Sequence, residues 1–506
     1  MLQNRTVHLT CNQFKNMKKK IFIIVWLAVC TFYAKATINQ IRWGSSGDPL
    51  NGLTVTWSNN GAADSVKWGY TTSFEKGSFA GTKRTGYASG ISFFKYQFPA
   101  VTASSTIYYK LYDSNGHTWT TQKTFTTAPD PNLNIYSFAA LGDCRDYPAT
   151  LTTISNLVTA RKPAITLFNG DLTLTGTSTS QYNTFFTACS NFLQNNLVYH
   201  AEGNHDSYNT SLFSNLWDIP TTNGTNLYYS VRYGNTLFIT INSCDPSNST
   251  QLNWLTTTLT NAASDPTIVW KIISLHHAFF TVGNHAGDMN SYRSTIWKLF
   301  DDHGVDIVFT GHDHNYQRSK PVNLNVSSTA PVSQYGSAAG QGRCEVVSGG
   351  AGAGLYTQGS TADAWAINLF NSTYNYVFCD VNGCKISLKA YDQNNAIIDS
   401  VTFNKTGLQA CNTTGVGVFK QKFNPITIFP NPVENSFTLH YSSEEMGEVL
   451  IKIFDAAGKE IDTIKANKLQ TEIDIKHDMS KHAKGIYTVS VMVGNQKDNA
   501  MLILSK

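Results

Sequence analysis

The chain has 506 residues, 41% of them hydrophobic and 14% charged, with 38 Lys and Arg against 34 Asp and Glu. The length suggests about three domains of roughly 100–200 residues each, and so low a charge density with so much apolar content excludes a disordered polyelectrolyte. A net charge of only +4 excludes a strongly basic nucleic-acid binder.

The N-terminus supplies that excess. Met17-Lys18-Lys19-Lys20 is a positive n-region, Ile21 to Phe32 is apolar, and Ala34-Lys35-Ala36 is a small-x-small cleavage site. Together these read as a secretory signal peptide removed before Thr37, with residues 1–16 upstream of a start at Met17. The apolar run is too short to span a bilayer, and no later stretch is apolar enough to do so. Residues 1–36 carry six Lys or Arg and no acid, so the remainder is 32 − 34 = −2. Of nine cysteines, Cys11 and Cys30 leave with the leader, and an odd seven remain. Cys379 and Cys384 flank the hairpin signal Asp380-Val381-Asn382-Gly383 and could bridge it.

Residues 37–130 alternate in short strand patterns: Leu53–Trp57, Ser65–Tyr70, Phe93–Phe98, Thr106–Tyr112 and a last one from Thr124. Turn clusters of Asn, Gly, Ser and Asp separate them, which predicts a β-sandwich of roughly seven strands, fibronectin-III-like. Residues 131–405 alternate apolar runs (135–142, 164–169, 236–242, 268–275, 305–310) with helical patterns (149–161, 180–195, 249–261, 291–303). That alternation predicts an α/β domain, with its site on loops past strand C-termini. After a linker at 406–426, residues 427–506 hold 9 Lys, no Arg and 11 acids. The strand patterns Ser436–Tyr441, Val449–Phe454 and Gly485–Val491 predict a small separate β-sandwich there.

Five clusters in the middle segment carry chemistry: Gly142-Asp143, Gly170-Asp171, Gly203-Asn204-His205-Asp206, Leu275-His276-His277 and Gly311-His312-Asp313-His314. Each ends or closely follows a strand-like run. Carboxylate, amide oxygen and imidazole together suit Zn, Fe or Mn. A carboxylate can bridge two such ions about 3.5–4 Å apart, where bound water loses its proton near neutral pH and the ions clamp phosphoryl oxygens. Of the adjacent histidines only one is expected to ligate, because neighbouring residues on a strand face opposite sides. Asp313 is read as capping its turn.

In this order the clusters resemble the calcineurin-like metallophosphoesterases, and most closely the purple acid phosphatases, over about residues 40–405. Gln251-x-x-Trp254-Leu255, Gly311 through Ser319 and the glycine-rich Val347–Ala353 carry the likeness further. The resemblance implies a purple acid phosphatase N-terminal-like sandwich and then an αββα metallophosphoesterase. It implies hydrolysis of phosphate monoesters by attack of a metal-bound hydroxide, with a phosphodiesterase or nucleotidase, or a decayed surface adhesion protein, as the alternatives. Asp143 and His314 would bind the first metal, Asp171 would bridge, and Asn204, His276 and His312 would bind the second. His205 and His285 would contact phosphate and protonate the leaving group, and Asp206 would orient His205. Two positions depart from the family. Leu174 stands where purple acid phosphatases have a tyrosine, so no purple colour is expected. Arg145 stands where other branches have a histidine, so Asp146 or Tyr147 could complete the first metal's ligands, or Arg145 could hold substrate phosphate.

Ile428-Phe429-Pro430-Asn431-Pro432, Ile453 through Lys459 and Lys484-Gly485-Ile486-Tyr487 resemble the C-terminal sorting domain of type IX secretion substrates of Bacteroidetes. That implies export by way of the periplasm to the cell surface or medium, with the type IX machinery as partner and small phosphorylated molecules as substrates.

Overall fold

The computed structural model describes residues 38–59, 64–88, 91–405, 426–443, 445–470, 472–494 and 496–505. The leader expected at 1–36, residues 406–425 of the expected linker and Cys411 lie outside them. The chain divides into two compact units, 1–413 and 414–506.

Among the described residues the first unit opens with nine strands in two antiparallel sheets, of four strands (39–45, 53–59, 91–97, 82–88) and of five (77–80, 65–69, 106–113, 118–119, 123–126). Alternation explains them: in Thr106–Asp113 every second residue is buried, as a strand with one face on a core requires. Trp43, Trp57, Trp68, Phe94 and Tyr109 fill that core.

Two larger sheets follow. One has the order 198–200, 165–168, 135–141, 375–382, 385–392, 397–404, and the other 229–233, 236–240, 270–274, 307–310, 344–348, 316–319, 367–371. Phe138 meets Phe238 and Phe309 edge-on across the space between them, at 5.3 and 5.8 Å. Helices cover the outer faces. Helix 148–160 buries Leu151, Ile154 and Val158 in the core of the first sheet, and helix 249–264 buries Leu255 and Leu259 with Ile239 and Ile273 of the second. Within each sheet the strands 135–141, 165–168 and 198–200, and the strands 236–240, 270–274 and 307–310, run parallel. All five clusters therefore fall at strand C-termini.

Two expectations need correction. The helix expected over 291–303 is a 3-10 turn at 290–292, a π turn at 293–297 and an α turn at 298–302. The head of Arg293 is drawn to the Phe279 carbonyl and the Asp363 carboxylate, a tertiary anchor that local periodicity does not encode. Cys379 and Cys384 do not bridge: Cys379 is a free, buried cysteine, and Cys384 is disulfide-bonded. Across the hairpin Cys379 faces Leu388, while Asn382 faces Lys385, so Cys379 points into the core and Cys384 sits in the turn.

The N-terminal strands dock on the α/β sheets through a buried carboxylate. Asp218, with 4% of its side chain exposed, pairs with Arg84 and with Lys95 Nζ at 3.1 Å, and accepts from Thr56 Oγ1 at 2.5 Å. Burial favours its neutral form, but Arg84 and Lys95 outweigh burial and hold its pKa below the ordinary carboxylate value of 3.8. A depressed carboxylate contributes stability that is present above its unfolded pKa and lost as pH falls through the folded one. Asp218→Asn is expected to cost about 2–3 kcal/mol, the low end for a broken buried pair because water still reaches both cations. The deficit, read from denaturant melts, holds constant above about pH 5 and shrinks below about pH 4. A pH-independent deficit would refute the ion-pair account.

The second unit holds a three-stranded sheet (426–429, 436–442, 472–478) and a four-stranded sheet (460–468, 447–454, 485–493, 496–504). Phe437, Leu439 and Tyr441 of one share a core with Ile451, Val489 and Val491 of the other. Among the described residues no helix is long and apolar enough to cross a membrane.

Candidate metal centre

The loops past those strand ends bring Asp143, Asp171, Asn204, His276, His312 and His314 together. The backbone bends sharply to do so. Asp143, Asp171 and His312 all have left-handed φ, at 60°, 57° and 68°, a conformation costly for non-glycine residues and typical of functional sites. Two glycines make room. A Cβ on Gly203 would lie 2.3 Å from the Asp171 backbone nitrogen and Oδ1, and one on Gly311 2.2 Å from Asp143 Oδ2. The His312 N–H in turn donates to both Asp143 oxygens, at 3.1 and 3.0 Å.

Four atoms meet on one side. His276 Nε2 lies 2.9 Å from Asn204 Oδ1, 3.1 Å from His312 Nδ1 and 3.4 Å from Asp171 Oδ1. The far nitrogens fix the tautomers. His276 Nδ1 sits 2.7 Å from the Asn169 carbonyl, which can only accept. His312 Nε2 sits 3.1 Å from Asp288 Oδ2. Each ring thus spends its proton on the far side and turns a lone pair inward, toward an amide oxygen and a carboxylate. Burial lowers the pKa of both imidazoles, His312 further through its histidine neighbours. Neutral rings and an anionic carboxylate converging with no proton between them form a donor set that a cation satisfies.

The other side is similar but not equivalent. Asp143, Asp171 and His314 present ligand atoms within 4.8 Å of one another. His314 Nδ1 takes the Gly354 carbonyl at 2.7 Å, leaving Nε2 buried without a hydrogen-bond partner and 3.7 Å from Asp143 Oδ1. Burial, with nearby Arg145, lowers the His314 pKa to about 4. Burial and the charge of Asp171 raise the pKa of Asp143. Asp171 feels the same burial, yet its pKa is lowered, with the always-charged Arg145 against it, so it carries the negative charge. Its Oδ2, however, is already bound by Arg145 Nη1 at 2.6 Å.

His276, not His277, faces the cluster, because His277 Nδ1 turns to Ser243 Oγ at 2.9 Å. His205 stands at the mouth with its ring Nδ1 on the Leu174 carbonyl at 2.7 Å and Nε2 3.8 Å from Asp171 Oδ2. His285 lies beside His312, the two rings 3.8 Å apart. The expectation that Asp206 orients His205 is corrected: its buried carboxylate accepts from the Leu172 and Gly203 N–H groups at 3.2 Å and so shapes the loop instead. Tyr147 is not part of the cluster; half-exposed, it meets Tyr374 edge-on at 6.4 Å. Asp146 accepts from the Gly354 N–H at 2.8 Å. Leu174 is 47% exposed and offers the cluster its carbonyl. Asp313, expected to cap its own turn, instead holds the neighbouring loop through Thr281 Oγ1 and the His285 N–H, the latter at 3.1 Å.

Sequence reasoning missed three residues. Asp288 lies between His312 and His285, 3.1 and 3.4 Å from their rings. Tyr356 stacks on His314 at 4.0 Å, and burial raises its pKa against the pull of Arg145. Asn169 orients His276 through its carbonyl and bonds Ser274 through its side chain. The glycine-rich run that resembled the family marked the neighbourhood of Tyr356; no local pattern marks the other two.

Residues 136–316 match the calcineurin-like phosphoesterase family, and residues 427–505 match the secretion system C-terminal sorting domain. Purple acid phosphatase 21 of Arabidopsis thaliana is 26% identical over 39% of this chain and 48% of its own length. Probable inactive purple acid phosphatase 27 of the same plant is 26% identical over 56% of the chain and 50% of its own length. The chain thus spans about half the length of these relatives. Among solved structures, purple acid phosphatase PPD1 from yellow lupin seeds superposes with a TM-score of 0.60 at 18% identity, over 73% of this chain and 74% of that one. PhoD does so with 0.52 at 14%, over 75% and 95%. The chain therefore carries a calcineurin-like phosphoesterase domain with purple acid phosphatase homologues, followed by a secretion-system C-terminal sorting domain.

Proposed function

We propose that the chain is an exported, metal-dependent phosphoesterase that hydrolyses phosphate monoesters. The observation that carries this reading is the convergence of His276 Nε2, His312 Nδ1, Asn204 Oδ1 and Asp171 Oδ1, with their protons turned outward. These four would hold one divalent ion, and Asp143, His314 and the other Asp171 oxygen a second, of Fe, Zn or Mn. Bound metal at such a site supplies Lewis acidity and lowers the pKa of water. The chain's own side chains do the rest. Asp171 keeps its charge between the two sides. His205 and His285, with 19% and 33% of their side chains exposed, reach the mouth, where a phosphoryl oxygen or leaving group would sit, and can donate a proton there. Asp313 and Asp288 fix the loop that carries His285.

The nine N-terminal strands read as a fibronectin-III-like sandwich over 37–130 beside the catalytic segment 131–405, and residues 427–506 as a small sandwich recognised by type IX secretion machinery after passage through the periplasm. A panel of phosphate monoesters and diesters, assayed on the full chain after chelation and after return of Zn, Mn or Fe, tests the activity. Monoester turnover that disappears with chelator and returns with metal is expected. Metal-independent turnover, or none on any ester, would refute it, and preference for diesters would move the substrate to the alternative class.

A further inference from the structure

Arg145 is not accounted for by either side of the centre. Asp171 divides its two oxygens: Oδ1 accepts the His205 N–H at 3.0 Å and faces His276, whereas Oδ2 accepts Arg145 Nη1 at 2.6 Å. Only 10% of the Arg145 side chain is exposed, its Nε lacks a hydrogen bond, and Asp146 Oδ1 stands 3.8 Å away. A guanidinium is always charged and its donors form a fixed planar fork. Among the described residues no such cation is hydrogen-bonded to the His276, His312 and Asn204 side.

Resting on the phosphoesterase reading above, we propose that Arg145 gates the first metal side. Its guanidinium competes with an incoming cation for Asp171 Oδ2, so the two sides load unequally, and once displaced it binds a phosphoryl oxygen of the substrate. The competition is direct: Oδ1 already faces His276 and the His205 N–H, so a divalent ion held by Asp143, Asp171 and His314 would draw on the oxygen that Arg145 holds, and two cations on one carboxylate oxygen repel. The displaced head has a second seat. Asp146 is within ion-pair distance and is itself fixed by the Gly354 N–H at 2.8 Å. From there the fork can take a phosphate oxygen bidentately, a geometry that suits guanidinium better than ammonium. The second side, four inward lone pairs and no competing cation, loads first.

Titration of the chelated full-length chain with Zn or Mn, followed by calorimetry and by metal content per chain, reads this without any turnover. The wild-type chain is expected to bind in two steps separated by about tenfold or more, the scale of one partly buried charge pair. Arg145→Ala should tighten the weaker step by about tenfold and leave the stronger one in place. In the two-ion form, inorganic phosphate should bind Arg145→Ala about tenfold more weakly than wild type, with Arg145→Lys between them. Circular dichroism and melting temperature establish that each variant folds, and Arg145→Lys keeps the test open where Arg145→Ala does not fold. Two equal steps in the wild type, an unchanged weaker step in Arg145→Ala, or unchanged phosphate affinity would each overturn the gate while leaving the phosphoesterase reading in place. A wild-type chain that takes up no ion would overturn both.

Discussion

Asp171→Asn should lower kcat on phosphate monoesters by about a thousandfold or more, the scale of losing a group that stabilises transition-state charge, and should lower metal content per chain with it. Asp171 is fully buried and borders both groups: its Oδ1 faces His276, and a carboxylate oxygen lies within 4.8 Å of ligand atoms of Asp143 and His314. Asparagine preserves shape and one acceptor, so the His205 N–H keeps its partner. It removes the negative charge and puts an amide donor where either Arg145 or a cation needs an acceptor. The loss comes from charge and ligation, not from a collapsed loop, and the far-UV spectrum should be unchanged. A folded Asp171→Asn chain with wild-type turnover and wild-type metal content would remove Asp171 from the centre and, with it, the reason for grouping Asp143 with His276.

What the sequence made legible and what it hid divide along one physical line. The five clusters could be read because each is written locally: an apolar run that ends, in four of them a glycine that permits close approach, then a carboxylate, amide or imidazole. Strand alternation made it legible that only one of His276 and His277 would ligate, the family likeness pointed to His276, and the structure turns His277 to Ser243. The hidden residues act through tertiary closure. Asp288 is one acid in a loop with no periodic pattern, and it matters because that loop folds back onto His312. Asp206 sits beside His205 in sequence, which suggested a pair, but its carboxylate turns inward to Leu172 and Gly203. The Cys379 and Cys384 pairing failed on register, because closeness in sequence across a two-residue turn does not make residues face each other.

His205→Ala should separate proton donation from metal binding. The residue contributes twice: its backbone N–H donates to Asp171 Oδ1 at 3.0 Å, and its ring Nδ1 lies 2.7 Å from the Leu174 carbonyl. That carbonyl can only accept, so Nδ1 carries a proton, and Nε2 points toward the mouth 3.8 Å from Asp171 Oδ2. Alanine deletes the ring and keeps the N–H, so the grip on Asp171 survives and metal content per chain should stay at the wild-type value. Turnover should fall by about 10²–10⁴, the usual contribution of a positioned acid. The size should depend on the leaving group: an alkyl phosphate, whose alkoxide must be protonated as it departs, should lose far more than 4-nitrophenyl phosphate, whose phenolate leaves unaided. A merely structural histidine would depress both substrates alike. Equal losses on the two esters, or metal content that falls in step with kcat, would take the acid role away from His205 and leave His285, held by Asp313 and Asp288, as the group that protonates the leaving oxygen.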